Sequence, residues 1–171
     1  MSRVHCPRCQ RPQSHCLCPL IPRLASRTRV LILQHPDEVR HALNTARLAA
    51  LGLCNAELRI GEHFPELEAE LSGRQVWLLF PGAAALRVEA LAGQACGEER
   101  VLIVPDGTWR KAPGPGALST VEALVHCLNA LEGQGRFDAL LAPFEALIDG
   151  QIVAMGEEVF RRNHLRESPE T

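Results

Sequence analysis

Four segments of the chain predict β-strands. They lie at Arg29 to Gln34, Ala56 to Ile60, Val76 to Phe80 and Val101 to Val104. The first is a short apolar run that ends at a His-Pro pair, which is typical of a buried strand. The third and fourth are apolar throughout, so we expect both of these strands to be buried on two faces.

The segments between the strands predict helices. The sequence from Asp37 to Leu51 has apolar residues at helical spacing, and Gly52 follows as a candidate C-terminal cap. A second helix is predicted around Ala83 to Ala92, before the fourth strand. The apolar positions of the first helix are Val39, Leu43, Ala46 and Ala50.

Three helices are predicted after the last strand. Ser119 to Glu122 reads Ser-x-x-Glu, the form of a capping box, in which the Ser hydroxyl and the Glu carboxylate bind free backbone N–H groups. A helix should therefore begin at this position. Further helices are predicted from Phe137 to Asp149 and from Ile152 to Asn163.

The alternation of apolar strands with helices predicts an α/β fold with a mainly parallel sheet and flanking helices. Ligands in such folds bind beyond the carboxyl ends of the strands. This rule selects three loops, at Gln34 to Pro36, Pro81 to Gly82 and Pro105 to Trp109.

Length and composition favour one globular domain with a small appendage. The 171 residues are 46% hydrophobic and 22% charged, and no apolar run approaches the roughly 20 residues of a membrane span. The first residues lack the apolar stretch of a secretory signal, so we expect a cytoplasmic protein without membrane contact. The predicted parts are a Cys-rich head over residues 1–28 and the main domain over residues 29–171.

Basic charge is concentrated at the start of the chain. Residues 1–47 contain eight arginines and two acidic residues, whereas the whole chain has a net charge of −2. An arginine-rich segment beside a metal-binding pattern is typical of proteins that bind nucleic acid, because its positive charge attracts the phosphates. A solvated basic arm without a polyanionic partner would have the same composition.

Two closely spaced cysteine pairs in the head can close a tetrahedral structural zinc site. The pairs, Cys-x-x-Cys and Cys-x-Cys, are formed by Cys6, Cys9, Cys16 and Cys18. His5 and His15 are alternative ligands, and an iron–sulfur cluster or a redox dithiol is an alternative use of the thiols. The remaining cysteines, expected to be small buried hydrophobes, are Cys54, Cys96 and Cys127.

Polar side chains in the predicted loops are candidates for chemistry. Asp106 can orient or deprotonate a substrate N–H, Thr108 can hydrogen-bond a ligand, and Trp109 can stack on a base. Asn44 and Arg47 share a helix face and can hold a carboxylate or a phosphate. Plainer interpretations also exist, since Asp-Gly is a common turn pair and Asn44 and Arg47 can be the wet side of an amphipathic helix.

The order of these motifs resembles the DTW-domain family of tRNA-uridine aminocarboxypropyltransferases along the whole chain. Each motif is weak alone, whereas the set in this order is specific. The motifs are Cys-x-x-Cys with Cys-x-Cys, Leu-Gln-His-Pro, Asn-Thr-Ala-Arg-Leu, Leu-Phe-Pro-Gly, Pro-Asp-Gly-Thr-Trp and Leu-Ser-Thr-Val-Glu-Ala.

The resemblance implies a fold related to the SPOUT methyltransferases, which can be knotted. S-adenosylmethionine would be the co-substrate and tRNA the macromolecular partner of a monomer or homodimer. The enzyme would transfer the 3-amino-3-carboxypropyl group to N3 of a tRNA uridine and release methylthioadenosine. Since the sulfonium activates every carbon attached to it, the way the molecule is held must select the methionine Cγ.

The resemblance also implies roles for individual residues. Asp106 would act on the uridine N3–H mainly by orientation, because a carboxylate is a weak base for an imide, and Thr108 and Trp109 would shape the pocket. The candidate cofactor-binding residues are Leu79, Phe80, Pro81, Gly82, Pro105, Leu118, Ser119, Thr120 and Glu122. The candidate substrate-binding residues are His35, Asn44, Arg47, Arg110 and Lys111.

The chain departs from the family pattern at one place. Family members have some tens of residues, including a Ser-x-Tyr-x-x-Arg segment, between motifs that here end at Ala112 and resume at Leu118. This apparent deletion favours an alternative interpretation, a non-catalytic zinc-headed module that binds RNA or protein. A SPOUT-type RNA methyltransferase, which would transfer the methyl group instead, is the other alternative.

Overall fold

The structure is a computed structural model that describes residues 4–41, 43–92, 99–107 and 118–155. Its strands are β1 (Arg29–Gln34), β2 (Ala56–Ile60), β3 (Gln75–Leu78) and β4 (Arg100–Asp106). Its helices are α1 (Ala46–Gly52), α2 (Leu67–Leu71), α3 (Glu89–Ala92), α4 (Thr120–Glu132) and α5 (Ala142–Met155). Short 3-10 helices cover Gln13–His15, Cys18–Leu20, Pro36–Arg40 and Asp138–Leu141.

The described strands form one parallel sheet in the order β2-β1-β4-β3. Each crossover between consecutive strands contains a helix, which is the usual connection between parallel strands. The predicted α/β class with a parallel sheet and flanking helices is therefore confirmed. No helix among the described residues is both long and apolar enough to cross a membrane.

The main core lies between one face of the sheet and helices α1 and α4. Alternate residues of β1 and β4 face these helices and are almost fully buried, namely Val30, Ile32, Leu102 and Val104. The same alternation places Gln34 and Asp106, the last residues of β1 and β4, on the helix side of the sheet. The polar ends of two central strands thus lie where α1 and α4 begin.

The strand predictions are largely confirmed, with one error of burial. β1 and β2 have the predicted bounds, and the central strand β4 is buried as expected. β3 has two exposed apolar residues, Val76 at 38% and Leu78 at 59% exposure. The prediction that it is buried on two faces is wrong, because β3 is an edge strand that pairs with β4 alone among the described strands.

The first helix begins at Ala46 rather than at Asp37, and residues 36–40 form a 3-10 helix instead. The Asn44 side chain explains the late start, since its Oδ1 accepts the free backbone N–H of Arg47 at 3.3 Å. Leu43, predicted as an apolar position of this helix, precedes it instead and is 40% exposed.

Gly52 is the last residue of α1 and not its C-terminal cap, which is Leu53. Its missing side chain serves packing instead. A Cβ atom at this position would overlap Leu140 Cδ2, far inside van der Waals contact. The glycine therefore lets the chain between Asp138 and Leu141 approach α1 closely.

The later helices match the sequence in part. α4 begins after Ser119 as the capping box predicts, whereas the helix predicted over residues 83–92 is reduced to α3. α5 begins at Ala142 rather than at Phe137, and its Pro143 lies in the first turn, where proline is tolerated. It then continues through Gly150, so the predicted break between residues 149 and 152 is wrong. The segment predicted as helix after Met155 lies outside the described residues.

Candidate active site and metal centre

The four head cysteines converge on one point. Their sulfur atoms all lie within 4.8 Å of one another, with Cys6 Sγ 3.6 Å from Cys18 Sγ and Cys9 Sγ 3.8 Å from Cys16 Sγ. These separations exceed the roughly 2 Å of a disulfide. They match the edge, about 3.8 Å, of a sulfur tetrahedron built on zinc–sulfur bonds of about 2.3 Å. The cluster therefore has the geometry of a four-thiolate metal site.

A tight turn positions the first cysteine pair. Cys6 N–H donates to Arg11 O at 2.8 Å, and Gln10 N–H donates to Cys6 O at 2.9 Å. Gln10 has a φ of 59°, a left-handed conformation that is uncommon outside glycine. The turn directs the backbone N–H groups of Cys9 and Arg8 at the Cys6 sulfur, and they lower the pKa of this thiol to about 6.

The second pair shows why the cluster suits a cation. Burial, followed by the neighbouring Cys6 thiol, raises the pKa of Cys18 to about 12. Because four thiolates repel one another, the full set ionises only when a positive ion compensates the charge. The alternative ligands His5 and His15 are exposed, and neither belongs to the sulfur cluster.

The cysteines outside the head follow the prediction in part. Cys127 is buried in the core, and burial raises the pKa of its thiol to about 11. Cys54 is exposed, so its assignment to the core is wrong. It follows the end of α1, where the chain turns toward β2 at the surface. Cys96 lies outside the described residues.

Asp106 is half-buried at the carboxyl end of β4, where two side chains hold its carboxylate. Gln34 Nε2 donates to Oδ2 at 2.7 Å, and Thr120 Oγ1 donates to Oδ1 at 2.6 Å. Gln34 is the register partner of Asp106 on β1, and Thr120 is the first residue of α4. With one donor on each oxygen, the carboxylate is fixed in orientation and keeps lone pairs for a further donor.

Gln34 lies in one of the three predicted ligand-binding loops, but the sequence predicted no role for its side chain, which organises this network. Its side chain is fully buried, and Nε2 also approaches Asn44 Oδ1 at 3.2 Å. Its Oε1 has no hydrogen-bond partner in the described part of the chain. The available signal was the alternation in β1, because Val30 and Ile32 place Gln34 on the buried face. A polar side chain there requires partners.

Asn44 connects the Asp106 network to the start of α1. Its Nδ2 donates to Glu38 O at 3.0 Å, while its Oδ1 accepts from the Gln34 side chain and from Arg47 N–H. Asn44 is thus a half-buried structural link and not the wet side of a helix. The Arg47 side chain lines a cleft between α1 and the head.

His35 lies at the rim of the site rather than inside the network. Its backbone N–H donates to Asp106 O at 2.9 Å. Its ring is 41% exposed, with Nδ1 3.5 Å from Asp37 and Nε2 3.7 Å from Glu62. The Nδ1 atom also accepts the backbone N–H of Asp37, which stabilises the turn after β1.

The residues from Leu79 to Gly82 follow β3 at the same carboxyl edge of the sheet. Leu79 N–H donates to Ile103 O at 2.8 Å, which continues the pairing of β3 with β4. Phe80 is 39% exposed, and Pro81 and Gly82 are exposed. Pro105 pairs with Leu33 one residue before Asp106. These residues are neighbours of the Asp106 network along the edge, without a described side-chain hydrogen bond to it.

Two side chains predicted to bind the cofactor form the capping box of α4 instead. Ser119 Oγ accepts Glu122 N–H at 3.3 Å, and Glu122 Oε2 accepts Ser119 N–H at 2.8 Å. Leu118 precedes them and is 56% exposed. Thr108, Trp109, Arg110 and Lys111 lie outside the described residues.

Comparisons with known proteins give consistent matches. The chain is 28% identical to tRNA-uridine aminocarboxypropyltransferase 2 of Macaca fascicularis over 213 residues, which covers 98% of this chain and 72% of that protein. The protein of the same name in Mus musculus is 29% identical with the same coverage. In Drosophila melanogaster, it is 29% identical over 192 residues, covering 88% of this chain and 76% of that protein. No solved structure gives a significant match.

The pattern of one protein family, the DTW domain, matches residues 3–114. This match includes the head cysteines, the loop after β1 and the Asp106 strand. It covers more than half of the 171 residues, so the chain belongs to the DTW domain family.

Proposed function

We propose that this chain is a tRNA-uridine aminocarboxypropyltransferase, which transfers the 3-amino-3-carboxypropyl group of S-adenosylmethionine to N3 of a tRNA uridine. The observation that carries the proposal is similarity along nearly the whole chain to proteins that bear this name. The held carboxylate at the carboxyl edge of a parallel sheet supports it, since this edge is where α/β folds bind ligands.

Asp106 is the proposed catalytic residue. Its carboxylate is pinned by Gln34 and Thr120, so the remaining lone pairs can accept the uridine N3–H and present N3 in one orientation. This alignment lowers the entropic part of the barrier. Thr120 and Gln34 are positioning residues in this mechanism, because they act on the substrate through Asp106.

The reaction forms a bond between uridine N3 and the methionine Cγ as the bond from Cγ to sulfur breaks. The electron pair of that bond goes to sulfur, which leaves as the neutral thioether of methylthioadenosine, and the N3 proton passes to Asp106 or to solvent. S-adenosylmethionine supplies the activated carbon when it is bound. The chain's task is to hold N3 in line with that carbon.

The proposed S-adenosylmethionine site lies along the carboxyl edge between the end of β3 and the start of α4. Its backbone-rich wall would consist of Leu79 to Gly82 and Pro105, with Leu118 and Thr120 at the helix end. Ser119 and Glu122 contribute indirectly, by capping α4 and so holding Thr120 in place. The buried Gln34 Oε1, which lacks a partner among the described residues, could accept a donor from a bound ligand or water.

The proposed metal is a structural zinc ion held by the four head cysteines. The sulfur separations fit its tetrahedral geometry, and four protein ligands leave no open position for catalysis. We also infer that the main domain is related to the SPOUT methyltransferases. The expected knot adjoins residues 112–118, most of which lie outside the described residues.

The non-catalytic alternative is favoured by one observation. The alignments to the mammalian relatives span 213 positions, whereas this chain has 171 residues, so the relatives contain residues that this chain lacks. The proposed position of the deletion is between Ala112 and Leu118. A module that retains tRNA binding without turnover would follow if those residues complete the S-adenosylmethionine site.

Product analysis separates these functions. The purified chain is incubated with S-adenosylmethionine and unmodified tRNA, and nucleosides and small molecules are identified by mass spectrometry. We expect aminocarboxypropyluridine together with methylthioadenosine. A methylated nucleoside with S-adenosylhomocysteine would assign a methyltransferase, and tRNA binding without product would assign the non-catalytic module.

A further inference from the structure

A cleft of about 680 Å³ opens between the cysteine head and the residues that lead into α1. The head side is formed by the turn from His5 to Pro12. The opposite side is formed by Val39 to His41 together with Asn44 and Arg47. None of the described residues that line the cleft carries a carboxylate, although the proposed metal-binding thiols of Cys6 and Cys9 lie on its head side. Three of the lining residues are arginines: Arg11, Arg40 and Arg47.

Two of these arginines form no ion pair with a carboxylate among the described residues. Arg40 is exposed and Arg47 is half-buried, and within the described part of the chain neither lies within 4.0 Å of a carboxylate oxygen. Other arginines of the same chain do form ion pairs, as Arg29 and Arg59 do with Glu70. Arg40 and Arg47 therefore bring two positive charges to the cleft without a carboxylate partner among the described residues.

A histidine adds a directed donor to the cleft. His41 Nδ1 accepts the backbone N–H of Leu43 at 3.3 Å, so the ring proton of the neutral form lies on Nε2. Guanidinium and imidazole N–H groups without a competing acid are the donors that bind phosphate oxygens. The lining thus suits a phosphate group or another compact oxyanion.

The cleft adjoins the proposed active site through a single side chain. Asn44 lines the cleft and also accepts from Gln34 Nε2, which donates to Asp106. A polynucleotide whose uridine reaches Asp106 would carry its backbone along this edge, past the loop after β1. The phosphates of such a chain would pass Arg40 and Arg47 at the cleft.

We propose that this cleft binds a backbone phosphate of the RNA substrate close to the modified uridine, held between the cysteine head and the start of α1. This inference rests on the proposed function for its ligand. It also gives the head a role in substrate binding, since the turn beside Cys6 and Cys9 forms one wall.

The test is the salt dependence of tRNA binding by the metal-loaded, full-length chain, measured by fluorescence anisotropy. Arg40→Ala and Arg47→Ala are compared with Arg27→Ala. Arg27 is 73% exposed and precedes β1, so it lies at the amino-terminal ends of the strands, away from the carboxyl ends that carry Asp106. We expect each cleft variant to weaken binding about tenfold at low salt. The slope of log K against log salt should flatten by roughly 0.7 to 0.9, with no such change for Arg27→Ala.

Two outcomes would overturn the inference. If both cleft variants keep the wild-type slope, no phosphate contact is made by these arginines. If they instead weaken S-adenosylmethionine binding, measured by calorimetry without RNA, the cleft holds the carboxylate of that molecule. The mass-spectrometric product analysis tests the proposed function separately. If the cleft variants have the wild-type salt slope but the wild-type chain still modifies uridine, the proposed function stands and only the phosphate site is excluded.

Discussion

Among single residues, Asp106 and the two donors that hold it are central to the proposed mechanism. Gln34 and Asp106 are distant in sequence and become neighbours only through the pairing of β1 with β4. Thr120 arrives from the start of α4. The sequence predicts each residue's element, whereas the contact requires the strand order. For this reason the position of Asp106 at the carboxyl end of a strand was predictable and the Gln34–Asp106–Thr120 arrangement was not.

Replacing Thr120 by Val removes the donor to Asp106 Oδ1 and keeps the shape of the side chain. We expect the turnover rate to fall by about 10- to 100-fold, because a misaligned catalytic group loses much of its effect. The KM for tRNA should change little. The measurement is steady-state kinetics of uridine modification.

Thr28→Val is the matched control for this substitution. Thr28 is fully buried at the amino-terminal end of β1, and its Oγ1 has no partner among the described residues. The control should retain wild-type kinetics. Equal losses in both variants would contradict a specific role for Thr120.

Among the helices, a boundary set by hydrogen bonds within one turn was predicted correctly, whereas a boundary set by tertiary contacts was not. The capping box at Ser119 and Glu122 fixed the start of α4, since all of its hydrogen bonds form within one turn. The start of α1 depends on Asn44, whose side chain is held by Gln34 and by Glu38 O. Helical periodicity alone could not reveal that constraint.

Gly52 and Gly150 offer a test of helix packing, because both lie within helices and differ in their surroundings. A Cβ at Gly52 would overlap Leu140, whereas a Cβ at Gly150 would have nothing within 4 Å. We expect Gly52→Ala to lower the free energy of unfolding by about 1–3 kcal/mol through overpacking. Gly150→Ala should raise it by about 0.5–1 kcal/mol through helix propensity.

Urea denaturation followed by circular dichroism measures both effects. Equal stability of Gly52→Ala and Gly150→Ala would contradict the close packing of Leu140 against Gly52.

A cluster of ion pairs on the sheet face opposite α1 and α4 predicts a response of stability to acid. It joins Arg29 and Arg59 to Glu57 and Glu70. Hydrogen bonds from Arg59 and then Arg29 lower the pKa of Glu70 from 4.5 to about 2. A depressed carboxyl pKa stabilises the fold above the unfolded value and loses this contribution as pH falls from about 4.5 to about 2. Glu70→Gln should therefore lower the Tm at pH 7, and the difference from wild type should shrink across that pH range.

The control for this prediction is Glu68→Gln on the same helix. Glu68 is exposed and forms no ion pair within the described residues, so its Tm should match that of wild type throughout. A Tm difference for Glu70→Gln that is constant from pH 7 to pH 2 would show that ionisation is not the source of its effect.

At the scale of the whole molecule, the cysteine head and the sheet domain form a continuous structure. The head cysteines share a buried cluster with Ile21, with Leu48 of α1 and with Leu147 of α5. The clustering of the four cysteines was predictable because they lie close together in sequence. Its packing against two distant helices was not, because short-range spacing carries no information on tertiary neighbours.

Removing the metal should unfold the head and spare most of the sheet domain. Thiolate ligation supplies folding free energy to a segment with few apolar residues of its own, whereas the core between the sheet and α4 is independent of it. Treatment with a strong chelator should expose the four thiols to a thiol reagent and leave most of the helical circular dichroism. Elemental analysis should give one zinc per chain before treatment, and iron or no metal would contradict the assignment.

The central claim is that this chain transfers an aminocarboxypropyl group to uridine through a carboxylate held at the end of β4. The most direct measurement is mass spectrometry of unmodified tRNA after incubation with S-adenosylmethionine and either the wild-type chain or Asp106→Asn, with both proteins shown to have similar Tm and tRNA affinity. We expect aminocarboxypropyluridine and an equal amount of methylthioadenosine from wild type, and a loss of at least about 100-fold in the variant. Wild-type levels of product from Asp106→Asn, or no product from the wild-type chain, would contradict the central claim.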